Sequence, residues 1–422
     1  MTAAKTAATA VLNGLGEIRS WQEDFYRDLH RHPELSHQEH RTAGKVAETL
    51  NAAGYQVHDG VGGTGVVGVL ENGPGPTVLL RADMDALPVQ EATGLEYAST
   101  VRSTNRDGVE VPVMHACGHD FHVTALLGAS RLLAEGRQHW HGTVVALFQP
   151  AEETGDGAQS MVDDGLANLL PHVDVCLGQH VMPFPAGIVG MHAGPFMASA
   201  DSMRVTVFGR GSHGSMPQAS VDPVVLAAMI VVRLQTVVSR EISPTEPVVL
   251  TVGSIAAGSK SNVIPDHAVL QLNIRTYNEH TRTSVIDAVK RIVNAECVAS
   301  RSPREAEFEL FDRFPLTDND VATTGRVHEV FSAEFGDRCV QLPQGAGSED
   351  FSAIPAALGA PYTYWGVGGI DATAYRNAIE AGTVEQDIPV NHSAKFAPVI
   401  QATLDTATQA LVTAGMPWLA SA

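Results

Sequence analysis

The chain has 422 residues, 44% hydrophobic and 18% charged, which excludes a disordered protein and exceeds what one hydrophobic core usually serves. Lysine and arginine number 27 against 47 acidic residues, and the formal charge of −20 disfavours nucleic acid and anionic membrane surfaces as partners. No run approaches 18 uninterrupted apolar residues, no signal peptide stands out, and Cys117, Cys176, Cys297 and Cys339 make no disulfide framework, so a cytoplasmic protein is expected.

In chain order, the alanine-rich first ten residues read as a frayed start. Ile18, Trp21, Phe25 and Leu29 recur at helical spacing and predict a helix over 18–31, stopped by His32-Pro33. A second helix is expected from His40 to Asn51. Glycine-bounded apolar runs at 64–70, 77–82 and 143–149 predict strands, while Val123, Leu126, Leu127 and Leu132 form a helical stripe over 119–135. This alternation implies an α/β sheet covered on both faces. The middle third differs. A half-buried strand over 203–208 precedes a helix over 222–240, opened by Asp222-Pro223. Strands at 247–255 and 268–276, a helix at 280–299 and a strand at 306–311 complete the βαββαβ order of a split ferredoxin-like unit. The expected organisation is a catalytic α/β domain over 1–198 and 313–422, interrupted by an insert over 199–312.

Five short segments carry the chemistry: 81–85 (RADMD), 115–120 (HACGHD), 149–153 (QPAEE), 179–180 (QH) and 391–392 (NH). The segments at 81, 149 and 179 follow apolar runs, at the carboxyl ends of strands where open α/β sheets place ligands. Cys117 and His119 flank Gly118 at a helix start. A thiolate and an imidazole there suit a borderline-soft cation, although a buried free cysteine beside a surface histidine is the ordinary alternative. Adjacent residues on a strand point oppositely, so one of Glu152 and Glu153 could hold a metal while the other faces a water on it, the ordinary alternative being a solvated pair of carboxylates. Among 18 histidines, His180 follows a strand and His392 sits in a loop entering the last helix, whereas His115 and His122 read as structural. Gly60, Gly62 and Gly65 have dinucleotide-loop spacing, but a strand follows them, so no helix N-terminus receives a pyrophosphate. No G-x-S-x-G, H-E-x-x-H or P-loop occurs.

The set of segments resembles the M20 metallopeptidase family, in its amidohydrolase branch of aminoacylases, hippurate hydrolases and auxin-conjugate hydrolases. The match runs nearly end to end: HRHPEL at 30–35, RADMDALPV at 81–89, MHACGHD at 114–120, QPAEE at 149–153, GSHGSMP at 211–217, NVIPD at 262–266, GSED at 347–350 and NHSAKF at 391–396. Within that branch the chain looks most like bacterial enzymes that cleave N-acyl-amino acids.

The resemblance implies a zinc-peptidase-like catalytic domain with a ferredoxin-like lid and dimerisation domain, hence a homodimer. It implies two divalent cations, zinc or manganese, held by Cys117, His119, Glu153, His180 and His392, with Cys117 bridging as thiolate. Glu152 would be the general base and acid, and Asp85 would orient a ligand. His213 would stabilise the oxyanion, from its own or a partner subunit. Asn262 and Arg275 would hold the substrate α-carboxylate, Arg275 in a bidentate contact, with Ser348 and Glu349 in a loop facing the site. The implied reaction splits an N-acyl-L-amino acid into a carboxylate and an amino acid. A dipeptidase or carboxypeptidase would use the same residues on a short peptide, and intact Glu152 opposes a non-catalytic metal-binding protein. Two stretches depart from the pattern: 366–388 is longer than expected and is read as pocket lining, and the loop over 101–112 is extended.

Overall fold

The computed structural model describes residues 2–420, which form two compact units. Among the described residues, the first comprises 2–194, 318–343 and 350–420; the second comprises 195–317 and 344–349.

The first unit is built on an eight-stranded mixed sheet. Its spatial order is Gln56–Val61, Gly65–Asn72, Gly142–Gln149, Thr77–Asp83, Val175–Pro185, Tyr362–Ile370, Val189–Met191 and Cys339–Gln341. Thr77–Asp83 and Gly142–Gln149 are buried along their whole lengths, as expected for central parallel strands with both faces covered. Thr77–Asp83 runs parallel to Gly142–Gln149 on one side and Val175–Pro185 on the other, with Asp83 level with Gln149. Successive strands thus fall on opposite sides of Thr77–Asp83, and the crevice beyond their carboxyl ends is where the chain places its polar side chains.

Helix His119–Glu135 is buried almost all round, which its apolar run from Val123 to Leu133 permits. It packs against the last helix, Ile400–Leu419, and against Leu15–Arg31. The alanine-rich start is not frayed. Thr2–Leu12 is a helix with Ala4, Ala7, Ala8 and Val11 buried against Ile400–Leu419. Alanine carries little apolar area but has the highest helix propensity, and its small side chain permits close approach.

The second unit has a four-stranded antiparallel sheet in the order Val248–Ala257, His267–Thr276, Ser199–Phe208, Glu307–Phe314. Helices Pro223–Thr236 and Glu279–Ala299 pack on it, completing the ferredoxin-like arrangement. Asp222 caps the first helix by accepting from Val224 N at 2.9 Å, and Asn278 caps the second through His280 N at 2.8 Å. Met203, Val205 and Val207 alternate into the core with Leu270, Leu272 and Ile274. The stretch Pro223–Glu241 is long and apolar enough to cross a membrane by length and composition. Its inner face, Leu226, Ala227, Ile230 and Leu234, is buried within this unit, while Val225, Met229 and Val232 are exposed.

Candidate metal centre and catalytic site

Gly118 has φ 92°, a left-handed conformation that glycine adopts without strain, and it opens helix His119–Glu135. The turn brings Cys117 and His119 to one point. Cys117 Sγ lies 3.4 Å from His180 Nε2, and ligand atoms of Cys117, His119 and His180 lie mutually within 4.8 Å. Cys117, Glu153 and His392 form a second such group, with Glu153 Oε2 3.3 Å from His392 Nε2. His392 itself has φ 70°, and its backbone N donates to Ala116 O at 2.8 Å. Asn391 Nδ2 donates to Cys117 O at 3.1 Å and Val181 O at 3.0 Å, tying the 391–392 loop to the other two segments.

Hydrogen bonds set the imidazoles. His180 Nδ1–H donates to Val181 O at 2.8 Å, which leaves the Nε2 lone pair towards Cys117. His119 Nδ1 donates to Asp85 Oδ1 at 3.2 Å, and its buried Nε2 finds no hydrogen-bond partner among the described residues. Glu153 Oε1, 3.8 Å from that nitrogen, is equally without one.

The two glutamates do not diverge as strand neighbours would. The strand ends at Gln149, Ala151 takes φ 52°, and Glu152–Thr154 form one helical turn. Both carboxylates consequently face His119 Nε2, Glu152 Oε2 at 3.9 Å and Glu153 Oε1 at 3.8 Å. Asp85 steadies this turn, accepting from Glu152 N and Glu153 N, each at 3.1 Å, and from Ser36 Oγ at 2.6 Å.

His122, read from sequence as structural, and Asp83 form a layer behind the centre. His122 Nε2 accepts from Val181 N at 2.8 Å, so Nδ1 carries the proton donated to Asp83 Oδ1 at 2.5 Å. Asp83 Oδ2 accepts from Arg81 Nη1 at 2.6 Å, and Arg81 Nε donates to Gln149 Oε1 at 2.9 Å. Asp83 lies inside the 81–85 motif but was not singled out from the sequence, where only Asp85 received a role; its pairing with His122 is visible only in the fold. His115 is buried, with neither ring nitrogen partnered among the described residues, and burial lowers its pKa to about 4.

Electrostatics and donor chemistry fit divalent cations. Burial and the charges of Glu153, Glu152 and Asp83 push the Cys117 thiol well above its usual value, so its thiolate requires a cation beside it. Burial opposes a charge on His119, but Asp83 and Asp85 outweigh it and raise its pKa to about 10. Burial, with His122, holds His180 well below the usual value, neutral and ready to ligate. One thiol, imidazoles and a carboxylate, with orphaned ligand atoms on His119 and Glu153, make a set suited to zinc-like ions.

The second unit carries the remaining candidates. Ser212–His213 pairs with Val263–Ile264, and Gly214 N donates to Asn262 O at 2.8 Å, so His213 and Asn262 are neighbours. His213 Nδ1 accepts from Ser215 N at 3.1 Å, leaving Nε2–H on the neutral ring for outward donation. Arg275 Nη1 donates to Ala346 O at 2.7 Å and Ser348 Oγ at 3.2 Å, and Nε donates to Asn273 Oδ1 at 3.1 Å. Two of the three nitrogens of its expected bidentate fork are thus already engaged. Glu349 is buried.

The extended loop is a hairpin, Arg102–Thr104 paired with Glu110–Pro112, and Arg106 at its tip donates to Thr154 Oγ1 and Asp156 Oδ2, each at 3.2 Å. The long segment before His392 continues strand Tyr362–Ile370 into helices Ala372–Ala381 and Val384–Asp387. These bury Ala378 in a cluster with Ile370, Ile388 and Tyr97.

Residues 79–390 match the family model described as Peptidase family M20/M25/M40. The chain belongs to this family. It is 38% identical to "Thermostable carboxypeptidase 1" of Saccharolobus solfataricus over 84% of this chain and 88% of that protein. It is 36% identical to "N-acetylcysteine deacetylase" of Bacillus subtilis over 82% of this chain and 88% of that protein. The crystal structure of a dinuclear metal binding peptidase of the M20 family from Bacillus subtilis superposes with a TM-score of 0.75 at 29% identity, covering 95% of this chain and 98% of that one.

Proposed function

We propose that this protein hydrolyses the amide bond of N-acyl-L-amino acids, consuming one water and releasing a carboxylate and a free amino acid. The observation that carries this reading is Glu152. It is a buried carboxylate, held through its backbone by Asp85 and aimed at the ring nitrogen of His119 within the Cys117, His119, Glu153, His180 and His392 set. Two divalent cations bound there supply the Lewis acidity that makes a water acidic near neutral pH and polarises a scissile carbonyl. We assign zinc first, on the thiol and imidazole donors, with manganese second.

Glu152 removes a proton from the attacking water and returns it to the departing amine, so no net proton is lost at the carboxylate. His213, with its Nε2–H free to donate, stabilises the developing oxyanion, a role whose loss typically costs ~2.7–4 kcal/mol. Asn262 and the unengaged Nη2 of Arg275 receive the α-carboxylate, and Ser348 keeps Arg275 in place. The insert acts as a lid and as the contact of a homodimer, through the apolar row Val225, Met229 and Val232 and the edge strand Val248–Ala257 with exposed Val249 and Ile255.

The test is amine release from a panel of N-acyl-L-amino acids and dipeptides with zinc or manganese added. Fast cleavage of an N-acyl substrate, abolished by chelation, is expected. Cleavage of dipeptides alone would transfer the assignment to a peptidase, a reading favoured by the carboxypeptidase relative. Zinc binding with no cleavage across the panel would remove the hydrolase reading.

A further inference from the structure

Within the four consecutive residues Ser36–Glu39, outside the metal ligands, three side chains grip the turn that carries Glu152 and Glu153. Glu39 Oε1 accepts from Ala151 N at 2.8 Å, at the entry to the turn. Ser36 Oγ donates to Asp85 Oδ2 at 2.6 Å, and that carboxylate receives the amides of Glu152 and Glu153. His37 Nε2 meets Asp156 Oδ1 at 2.9 Å, at the exit. Gln38 fastens the same segment to the 101–112 hairpin, donating to Thr104 O at 3.0 Å and accepting from Ser103 Oγ at 2.8 Å.

We infer that Ser36–Glu39 is a positioning clasp for the catalytic turn, with Glu39 as its principal hook; this rests on the reading of Glu152 as the base. Glu39 occupies the N-cap of helix His40–Ala52, where serine, threonine, aspartate or asparagine would ordinarily satisfy the helix, yet its side chain makes no cap bond. It turns away, fully buried, with its oxygens on Ala151 N, on His37 N at 2.9 Å and on Thr64 Oγ1 at 2.6 Å. No cation pairs with it among these contacts, and a buried carboxylate without one is costly to keep, so it stands there for the amides it receives. Those amides belong to strained backbone. Ala151 has φ 52° and His37 φ 63°, left-handed conformations that non-glycine residues hold only where surroundings over-determine them. Releasing Ala151 would let the turn relax and swing the glutamates away from His119, leaving the ligand loops at 117 and 391 untouched.

The clasp is tested on the metal-loaded protein with Glu39→Ala, Glu39→Gln and Tyr55→Phe. The last removes a buried hydrogen bond to Ser130 O at 3.0 Å remote from the turn and reports general destabilisation. Hydrogen exchange of peptides spanning 149–157 is read alongside kcat and KM. Glu39→Ala should accelerate exchange there at least tenfold and lower kcat at least tenfold, with KM changed less than threefold. Glu39→Gln should restore both, because its amide oxygen accepts from Ala151 N while Thr64 rotates to accept the amide hydrogen. Unchanged exchange in Glu39→Ala, or acceleration matched by Tyr55→Phe, overturns the clasp. If Glu39→Ala does not fold, Ser36→Ala carries the same exchange criterion. Exchange needs no substrate, so a wild type that cleaves nothing would sink the hydrolase reading while this comparison still decides the clasp.

Discussion

Asp85 and Glu152 are joined by a backbone hydrogen bond: Asp85 Oδ1 accepts the Glu152 amide at 3.1 Å and also faces His119 Nδ1 at 3.2 Å. One carboxylate oxygen therefore sets the proposed base and a proposed metal ligand against each other. Burial opposes the charge on Asp85, but His119 and Ser36 hold its pKa below the usual carboxylate value, so it stays an acceptor for all of these donors.

Glu152→Gln keeps the volume and the backbone bond but removes the base. Amine release should fall by about 10²–10⁴-fold, the usual contribution of a placed general base, with zinc stoichiometry intact. Elemental analysis beside the kinetic assay checks both. Undiminished release would remove the assignment.

Asp85→Asn leaves one good acceptor where two were in use, so either the Glu153 amide and Ser36 or the Glu152 amide and the His119 proton lose their partner. Losses of about 10–100-fold in metal affinity or activity are expected for such an orienting carboxylate. Competition of the apoprotein with a fluorescent zinc chelator measures the affinity, and an unaltered value together with unaltered kcat would contradict the role.

His30 is buried between Asp120, with Nδ1 2.7 Å from Oδ2, and Glu91, with Nε2 3.1 Å from Oε1. Burial works against its charge, but the bonds to Asp120 and Glu91 prevail and raise its pKa to about 9 from 6.5. The folded form binds this proton more tightly than the unfolded form. The stabilisation is therefore complete below about pH 6.5 and is lost as pH rises through about 9. It is worth at most about 3 kcal/mol, counted once for the cluster. Urea unfolding between pH 6 and 10 should show wild type and His30→Gln converging above pH 9; a constant gap would refute the charged pair.

Met229→Glu places a charge in the exposed row of helix Pro223–Thr236, where Met229 is 51% exposed and points away from the core. Sedimentation equilibrium should shift from dimer to monomer mass while the melting temperature of the monomer changes little. A wild type already at monomer mass would exclude the dimer.

Much of the centre was readable because its residues fall in short, ordered motifs. Cys117-Gly118-His119, the Glu152-Glu153 pair and Asn391-His392 each have an ordinary structural reading when taken alone, and their candidate roles came from the ordered set of short motifs that resembles the family. Others were not readable. Ser36 and Glu39 are ordinary polar residues just beyond the 30–35 motif, and only contacts more than 100 positions away give Glu39 its part. The direction of Glu152 was misjudged because a strand periodicity was carried past Gln149, whereas Pro150 and the left-handed Ala151 end the strand and wind the next residues into a turn. Helix Thr2–Leu12 went unrecognised because alanine leaves only a faint apolar stripe.

By itself the sequence determined the βαββαβ order of the insert, the interrupted α/β plan and the chemical character of the candidate donors, since periodicity, capping and side-chain chemistry are local properties. Tertiary structure alone decided which oxygen or nitrogen faces which. The His180 and His122 tautomers, the double duty of Asp85 and the grip of Glu39 on Ala151 all depend on separations of a few ångströms between distant segments. Packing of the parallel strands and of helix His119–Glu135 sets those separations, because a close-packed interior leaves each buried polar atom few positions in which its hydrogen bonds are met.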